Sequence, residues 1–162
     1  MPTILPLILL ATLATQAEPA TPPEGSRRNL TAIMSTDERS RQFQEEWGYS
    51  DAIAAGDFVF LSGVVASLRP GETSLEPAYV RAFDQIGTSL GRLGCGWGDV
   101  VEMSSFHTDL TSQMPAIVAV KRRYVGRPFP AWTAVGVTRL IPNSGITEIR
   151  ATAMCKARKR DP

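Results

Sequence analysis

The chain has 162 residues, 43% of them hydrophobic and 20% charged, which fits one globular domain and excludes both a disordered polyelectrolyte and two full domains. Seventeen Lys and Arg against sixteen Asp and Glu leave a net charge of +1, so no overall field draws the chain to nucleic acid or to an anionic membrane. One His and two Cys, Cys95 and Cys155, are too few for a zinc finger or a disulfide-framed mini-domain. Neither a metal site nor a cofactor is expected, because the sequence has no glycine-rich phosphate loop and no paired metal ligands.

The run from Ile4 to Ala14 is apolar but shorter than the roughly 20 residues a membrane span needs. Thr15, Gln16 and Ala17 follow, with small residues where a signal peptidase reads, so residues 1–17 read as a signal peptide and the protein as secreted or periplasmic. No membrane span is left once that signal is removed. Translation from Met34 would instead make a cytoplasmic protein. Residues 18–41 are rich in Pro, Thr, Ser and charge and read as a flexible linker, residues 42–156 as the domain and residues 157–162 as a basic tail.

Two apolar runs between Tyr49 and Ala66 flank Ala55, Gly56 and Asp57, and the second is rich in aromatic and β-branched residues, which predicts a β-hairpin. From Pro77 to Leu93, Val80, Phe83, Ile86, Leu90 and Leu93 recur at helical spacing, with Gly94 just past the end. Val100 to Leu110 returns to strand character. Thr111 or Ser112 can cap a second helix, from about Gln113 to Tyr124, whose stripe is Met114, Ile117, Val120 and Tyr124. Its Lys121, Arg122 and Arg123 read as a solvated face. Trp132 to Leu140 and Ile146 to Met154 flank a strong turn, Pro142 to Gly145, and read as two paired strands. The order is ββαβαββ, an α+β fold with a mixed sheet and two helices on one face. Two helices cover one face only, yet Phe58 to Val65 and Ala131 to Val137 are apolar or small at nearly every position, so both sheet faces want cover. Identical subunits packed in a closed ring would supply it.

Four segments carry a resemblance to a known family: Tyr49 to Gly63 (YSDAIAAGDFVFLSG), Leu90 to Leu110 (LGRLGCGWGDVVEMSSFHTDL), Pro128 to Leu140 (PFPAWTAVGVTRL) and Thr147 to Met154 (TEIRATAM). Together they resemble the YjgF/RidA proteins, also called the L-PSP endoribonuclease family, over roughly residues 47–155. The resemblance implies a chorismate-mutase-like fold, a homotrimer with small-molecule clefts between subunits, and cofactor-independent hydrolysis of enamines and imines to keto compounds and ammonia. It also implies site residues. Glu148 matches the glutamate that orients water, Tyr49 a cleft tyrosine and Gly63 the glycine whose backbone faces the ligand. Trp132 stands where the active subfamily has the Arg that holds the substrate carboxylate, and Thr133 follows it in the cleft. An indole has one N–H and no charge, so the bidentate carboxylate contact is gone. The family's cleft asparagine and cysteine fall near Ile117 and at Ala134, and both are lost here.

Two classes of function follow. One is a deaminase in which Glu148 and water hydrolyse a C=N bond with Trp132 altering the substrate class; the other is a non-catalytic small-metabolite binding or interaction protein on the same fold. Ribonuclease activity would want basic patches at the cleft and fits less well. Other readings compete at single residues. Arg139 sits opposite Glu148 across the Pro142 to Gly145 turn, where a surface ion pair is the plain alternative to a water-positioning role. His107 and Asp109 share a strand face, as a base and its support or as structural hydrogen-bonders. Cys95 and Cys155 read as separate thiols, with pairing open to an exported chain.

Overall fold

The computed structural model describes residues 30–155. The signal peptide, the first part of the linker and the basic tail expected from sequence lie outside those residues. Strand β1 (Leu30–Ile33) and helix α1 (Glu38–Trp47) come first, then β2 (Ala52–Ala55), β3 (Phe58–Leu61) and β4 (Val64–Ser67). Helix α2 (Glu76–Arg92), a 3-10 turn at Trp97–Asp99, β5 (Val100–His107), α3 (Leu110–Tyr124), β6 (Ala131–Gly136) and β7 (Gly145–Met154) complete the chain.

All seven strands form one sheet in the order β1-β2-β3-β7-β5-β6, with β4 also paired to β7. The ten-residue β7 is its spine. Along one edge it pairs with β3 through Met154 to Thr152 and with β4 through Ile149 to Gly145; along the other it pairs with β5. Only β5 and β6 are parallel, because α3 crosses over between them and returns the chain in the same direction.

The expected hairpin is present as β2 and β3, turning at Gly56 and Asp57. α2 is the helix its apolar spacing predicts, with Tyr79, Phe83, Ile86 and Leu90 all fully buried. Burying four such side chains contributes about 2 kcal/mol each and makes α2 the main shield of the sheet. Ile117 and Val120 of α3 join the same core, against Val59, Leu61, Met103, Ile149 and Ala151 from the strands.

Five sequence expectations need correction. The fold has three helices rather than two, and residues 30–41 of the supposed linker form β1 and the start of α1. α1 has no broad apolar stripe and is built from its ends: Asp37 Oδ1 accepts from Ser40 N (2.9 Å), and Gly48 takes φ 69° at the other end, where its N–H meets the Gln44 carbonyl. Gln44 pins the helix down, accepting from Ser35 N (2.8 Å) and donating to Asp51 Oδ1 (2.5 Å). Asp109, not Thr111 or Ser112, caps α3, its Oδ1 accepting from Ser112 N at 3.2 Å. β6 and β7 are not a hairpin, since β5 lies between them, so Arg139 does not face Glu148 across a turn. Cys95 and Cys155 are not separate thiols but a disulfide, with Cα atoms 5.6 Å apart, tying the loop after α2 to the end of β7.

The face of the sheet away from α2 and α3 is uncovered in the single chain. Phe58 (43% exposed), Phe60 (46%), Val135 (42%) and Met154 (44%) lie on it. The open face is mixed, these apolar side chains lying beside Glu102, Ser104, Glu148, Arg150 and Thr152, and the helices cover only the other face.

Candidate functional site

Alternation along β7 and β6 decides where each candidate side chain goes. In β7, Thr147, Ile149, Ala151 and Ala153 are buried beneath the helices, which sends Glu148 to the open face. Glu148 is level with Phe106 of β5, which is level with Val135 of β6, and on its other side with Val65 of β4. Gly63, in the break between β3 and β4, lies directly against its carboxylate. A Cβ built on Gly63 would sit 2.5 Å from Glu148 Cδ and 2.7 Å from its Cγ. A side chain there would have to push the Glu148 carboxylate aside, so the glycine leaves the space that the carboxylate fills. Glu148 is half-buried and makes no ion pair among the described residues, so the surface salt bridge considered above is not formed.

Trp132 goes the other way. It is level with Met103, a core residue under the helices, and its indole Nε1 donates to Ser105 Oγ at 2.9 Å. The ring is half-buried, and the Lys121 ammonium of α3 stands 3.3 Å from its centroid. Thr133, the next residue, is exposed on the open face, level with Ser104 and through it with Arg150. Tyr49 occupies a third place, between α1 and β2, edge-on to Phe43 at 6.3 Å and 40% exposed. Partial burial and the neighbouring Asp51 push its hydroxyl pKa up. Of the expected site residues, one chain thus brings together Gly63 and Glu148. Thr133 shares their face, whereas Trp132 and Tyr49 stand apart.

Beneath Trp132 runs a chain of hydrogen bonds that sequence reading missed. Ser105 Oγ is 2.9 Å from His107 Nε2, and Thr147 Oγ1 is 3.2 Å from His107 Nδ1. Thr147 Oγ1 also donates to Gln113 Oε1 (3.1 Å) and lies 2.8 Å from Tyr79 Oη. Ser105, His107, Thr147 and Tyr79 have no exposed surface. One assignment of protons satisfies the set. The indole can only donate, so Ser105 accepts from Trp132 and donates to His107 Nε2. Thr147 spends its proton on Gln113, so His107 Nδ1 and Tyr79 both donate to Thr147. His107 is then a neutral ring protonated on Nδ1, and burial pushes its pKa down in agreement. Asp109 is occupied with its cap, which makes His107 a structural hydrogen-bonder and not a base with a carboxylate behind it.

Lys121 was the other residue misread from sequence. It follows Ile117 by four positions, a spacing that places it on the same side of α3, and that was the signal available. Among the described residues no three His, Cys, Asp or Glu side chains gather as a metal site, and no helix is long and apolar enough to cross a membrane.

The geometry can be set beside known proteins. Residues 40–155 match the family model described as Endoribonuclease L-PSP. The RutC family protein YjgH of Escherichia coli K12 is 41% identical over 98 residues, 59% of this chain and 75% of that protein. A 2-iminobutanoate/2-iminopropanoate deaminase of Dermatophagoides farinae is 30% identical over 102 residues, 60% of this chain and 79% of that protein. Among solved structures, Rv2704 of Mycobacterium tuberculosis, a member of the YjgF/YER057c/UK114 family, superposes with a TM-score of 0.67 at 28% identity, covering 77% of this chain and 98% of the other. The α+β architecture, the order of its elements and the span of the match agree: this chain belongs to the endoribonuclease L-PSP family, the YjgF/RidA proteins.

Proposed function

We propose that this protein is a RidA-like homotrimer that binds a small metabolite in clefts between its subunits and hydrolyses an enamine or imine there, without a cofactor. The observation that carries the reading is the Glu148 carboxylate seated over Gly63 on a half-open surface, without a counter-ion among the described residues. A carboxylate so placed accepts a hydrogen bond from water and aims its lone pair at an imine carbon. The balance is simple: water adds across C=N, the nitrogen leaves as ammonia, and the carbon becomes a carbonyl. The relative named as a 2-iminobutanoate/2-iminopropanoate deaminase supports this substrate class.

The intersubunit location is supported by the opposite outlook of Glu148 and Trp132. A ligand touching both positions has to lie between two copies, Glu148, Gly63 and Thr133 on one and Trp132 on the next. The exposed Phe58, Phe60, Val135 and Met154 supply an apolar surface for such packing. Export is proposed on the apolar amino-terminal run together with the disulfide, a bond that persists in oxidising compartments.

The test generates 2-aminoacrylate and bulkier enamines in situ and follows keto acid release with wild type and Glu148→Ala. Acceleration lost in the variant supports hydrolysis, with Trp132 setting the substrate class. No acceleration by either protein favours the second reading, a binding protein, which rests on Trp132 being fixed by Ser105 where the active subfamily carries a charge.

A further inference from the structure

Helix α1 is sorted the wrong way round. Its one buried side chain is the polar Gln44, while Phe43 (41% exposed) and Trp47 (55%), four positions apart on one flank, face outward. Packing within the chain does not account for two outward rings beside an inward amide. Nor is the helix loosely held. Gln44 bonds to Ser35 and Asp51, and the other Asp51 oxygen lies 3.7 Å from Arg92 of α2. Phe43 and Trp47 stack with centroids 4.8 Å apart and planes at 30°, and Tyr49 meets Phe43 edge-on at 82°. The three rings thus form a fixed corner, Trp47 near parallel to Phe43 and Tyr49 near perpendicular to it. Two observations say what fits that corner. The first is its place: Ser62 Oγ donates to the Ser50 carbonyl at 2.6 Å and Ser62 N–H to the Asp51 carbonyl at 2.9 Å, so the backbone that carries Tyr49 runs beside Gly63, the residue against the Glu148 carboxylate. The second is its size. The rings expose on the order of 300 Å² between them, against about 800 Å² that each partner buries in a stable protein contact. Arg41, Gln42, Glu45 and Glu46 around them are exposed and polar, so the apolar patch ends with the rings. A corner of this size suits a single aromatic group, lying face-on to one ring and edge-on to another.

We infer that Phe43 and Trp47 of α1, with Tyr49, hold an aryl group of the ligand, so that the preferred substrates are enamines and imines with an aromatic side group. This deepens the reading under Proposed function and rests on it for the position of the C=N bond at Glu148; the aryl contact itself needs no turnover. Phe43 and Trp47 determine specificity and touch none of the reacting atoms.

The experiment uses the full chain and two keto acids as probes, phenylpyruvate and 2-oxobutanoate, which share a head group and differ in the side group. Calorimetry should show phenylpyruvate binding about tenfold or more tightly than 2-oxobutanoate. Trp47→Ala and Phe43→Ala remove side chains outside the core, so both should keep the wild-type thermal midpoint. Each should weaken phenylpyruvate about tenfold and 2-oxobutanoate far less, and Trp47→Phe should largely restore the preference. Equal affinity for the two probes, binding of neither, or a folded Trp47→Ala that keeps the preference would overturn the assignment. So would loss of the wild-type mass in Trp47→Ala by light scattering, which would give the corner to a second copy of the chain. Hydrolysis of the imines released in situ from phenylalanine and from 2-aminobutanoate by an amino-acid oxidase separates the two readings. A phenylpyruvate preference lost in Trp47→Ala, in a protein that hydrolyses neither imine, keeps the aryl site and removes the hydrolase. Glu148-dependent hydrolysis of both imines with equal efficiency removes the aryl site alone.

Discussion

Glu148 and Gly63 interlock: the carboxylate occupies the volume that any other residue at 63 would fill with its own Cβ. The smallest possible substitution is therefore a sensitive probe. Gly63→Ala is expected to fold, lose about 1–3 kcal/mol through overpacking and displace the carboxylate. Thermal unfolding should show a modest drop, and any imine hydrolysis should fall as far as in Glu148→Ala. An alanine variant with wild-type turnover would separate the glycine from the site.

His107 is the only histidine in the chain, so its protonation can be read in isolation. Its folded pKa lies below the ordinary 6.5 because the ring is buried, a cost that outweighs the opposing hydrogen bond from the Gln113 side. The unfolded chain therefore takes up the proton first. Stability is fully present above the unfolded value and falls as pH drops from about 6.5 toward the folded value. The Glu72 carboxyl, held down to about 2 by Arg81, titrates below that window. Urea midpoints should decline between pH 7.5 and 5 in the wild type. In His107→Gln the protein should be weaker throughout but flat over the same range.

The Cys95–Cys155 bond closes a loop with a sequence separation of 60. Peptide mapping without reductant should recover the two cysteines in one cross-linked pair. Removing the cross-link with Cys95→Ser/Cys155→Ser should cost about 4 kcal/mol by loop entropy, read as a lower denaturant midpoint.

The open sheet face offers a test of assembly. Phe60 is 46% exposed in the single chain, and Phe60→Glu should leave α2 and the buried face untouched. Light scattering is expected to give a trimer mass for the wild type and a monomer mass for the variant, since an unpaired charge would have to be desolvated at the contact. A variant that keeps the wild-type mass would place the interface elsewhere.

The sequence was informative where local pattern coincides with burial. α2 declares itself because a wide apolar stripe and a terminal glycine say the same thing, and the β2–β3 turn because two apolar runs flank Gly56 and Asp57. α1 escaped notice because its stability lies in Asp37, Gly48 and the buried Gln44 rather than in an apolar stripe. β6 and β7 looked like a hairpin because the turn residues between them are strong. What a turn motif does not reveal is that α3 has already set β6 parallel to β5, leaving the next strand the other edge. Gly63 and Glu148 were reached by resemblance alone, as nothing in their separation of 85 positions brings them together. The orientation of Trp132 was legible in principle, since alternation in β6 separates it from Thr133, but the sign of that alternation is set by the pairing with β5, which puts Trp132 level with Met103.

Thr147 and Glu148 are neighbours on β7, one turned into the sealed hydrogen-bond chain and the other out over Gly63. A slip of one residue along β5 would exchange them, pushing a carboxylate into the place of a hydroxyl shared by Tyr79, His107 and Gln113. The interior thus acts as a lock on the strand's register, and the aim of a surface carboxylate is fixed by partners that never touch it.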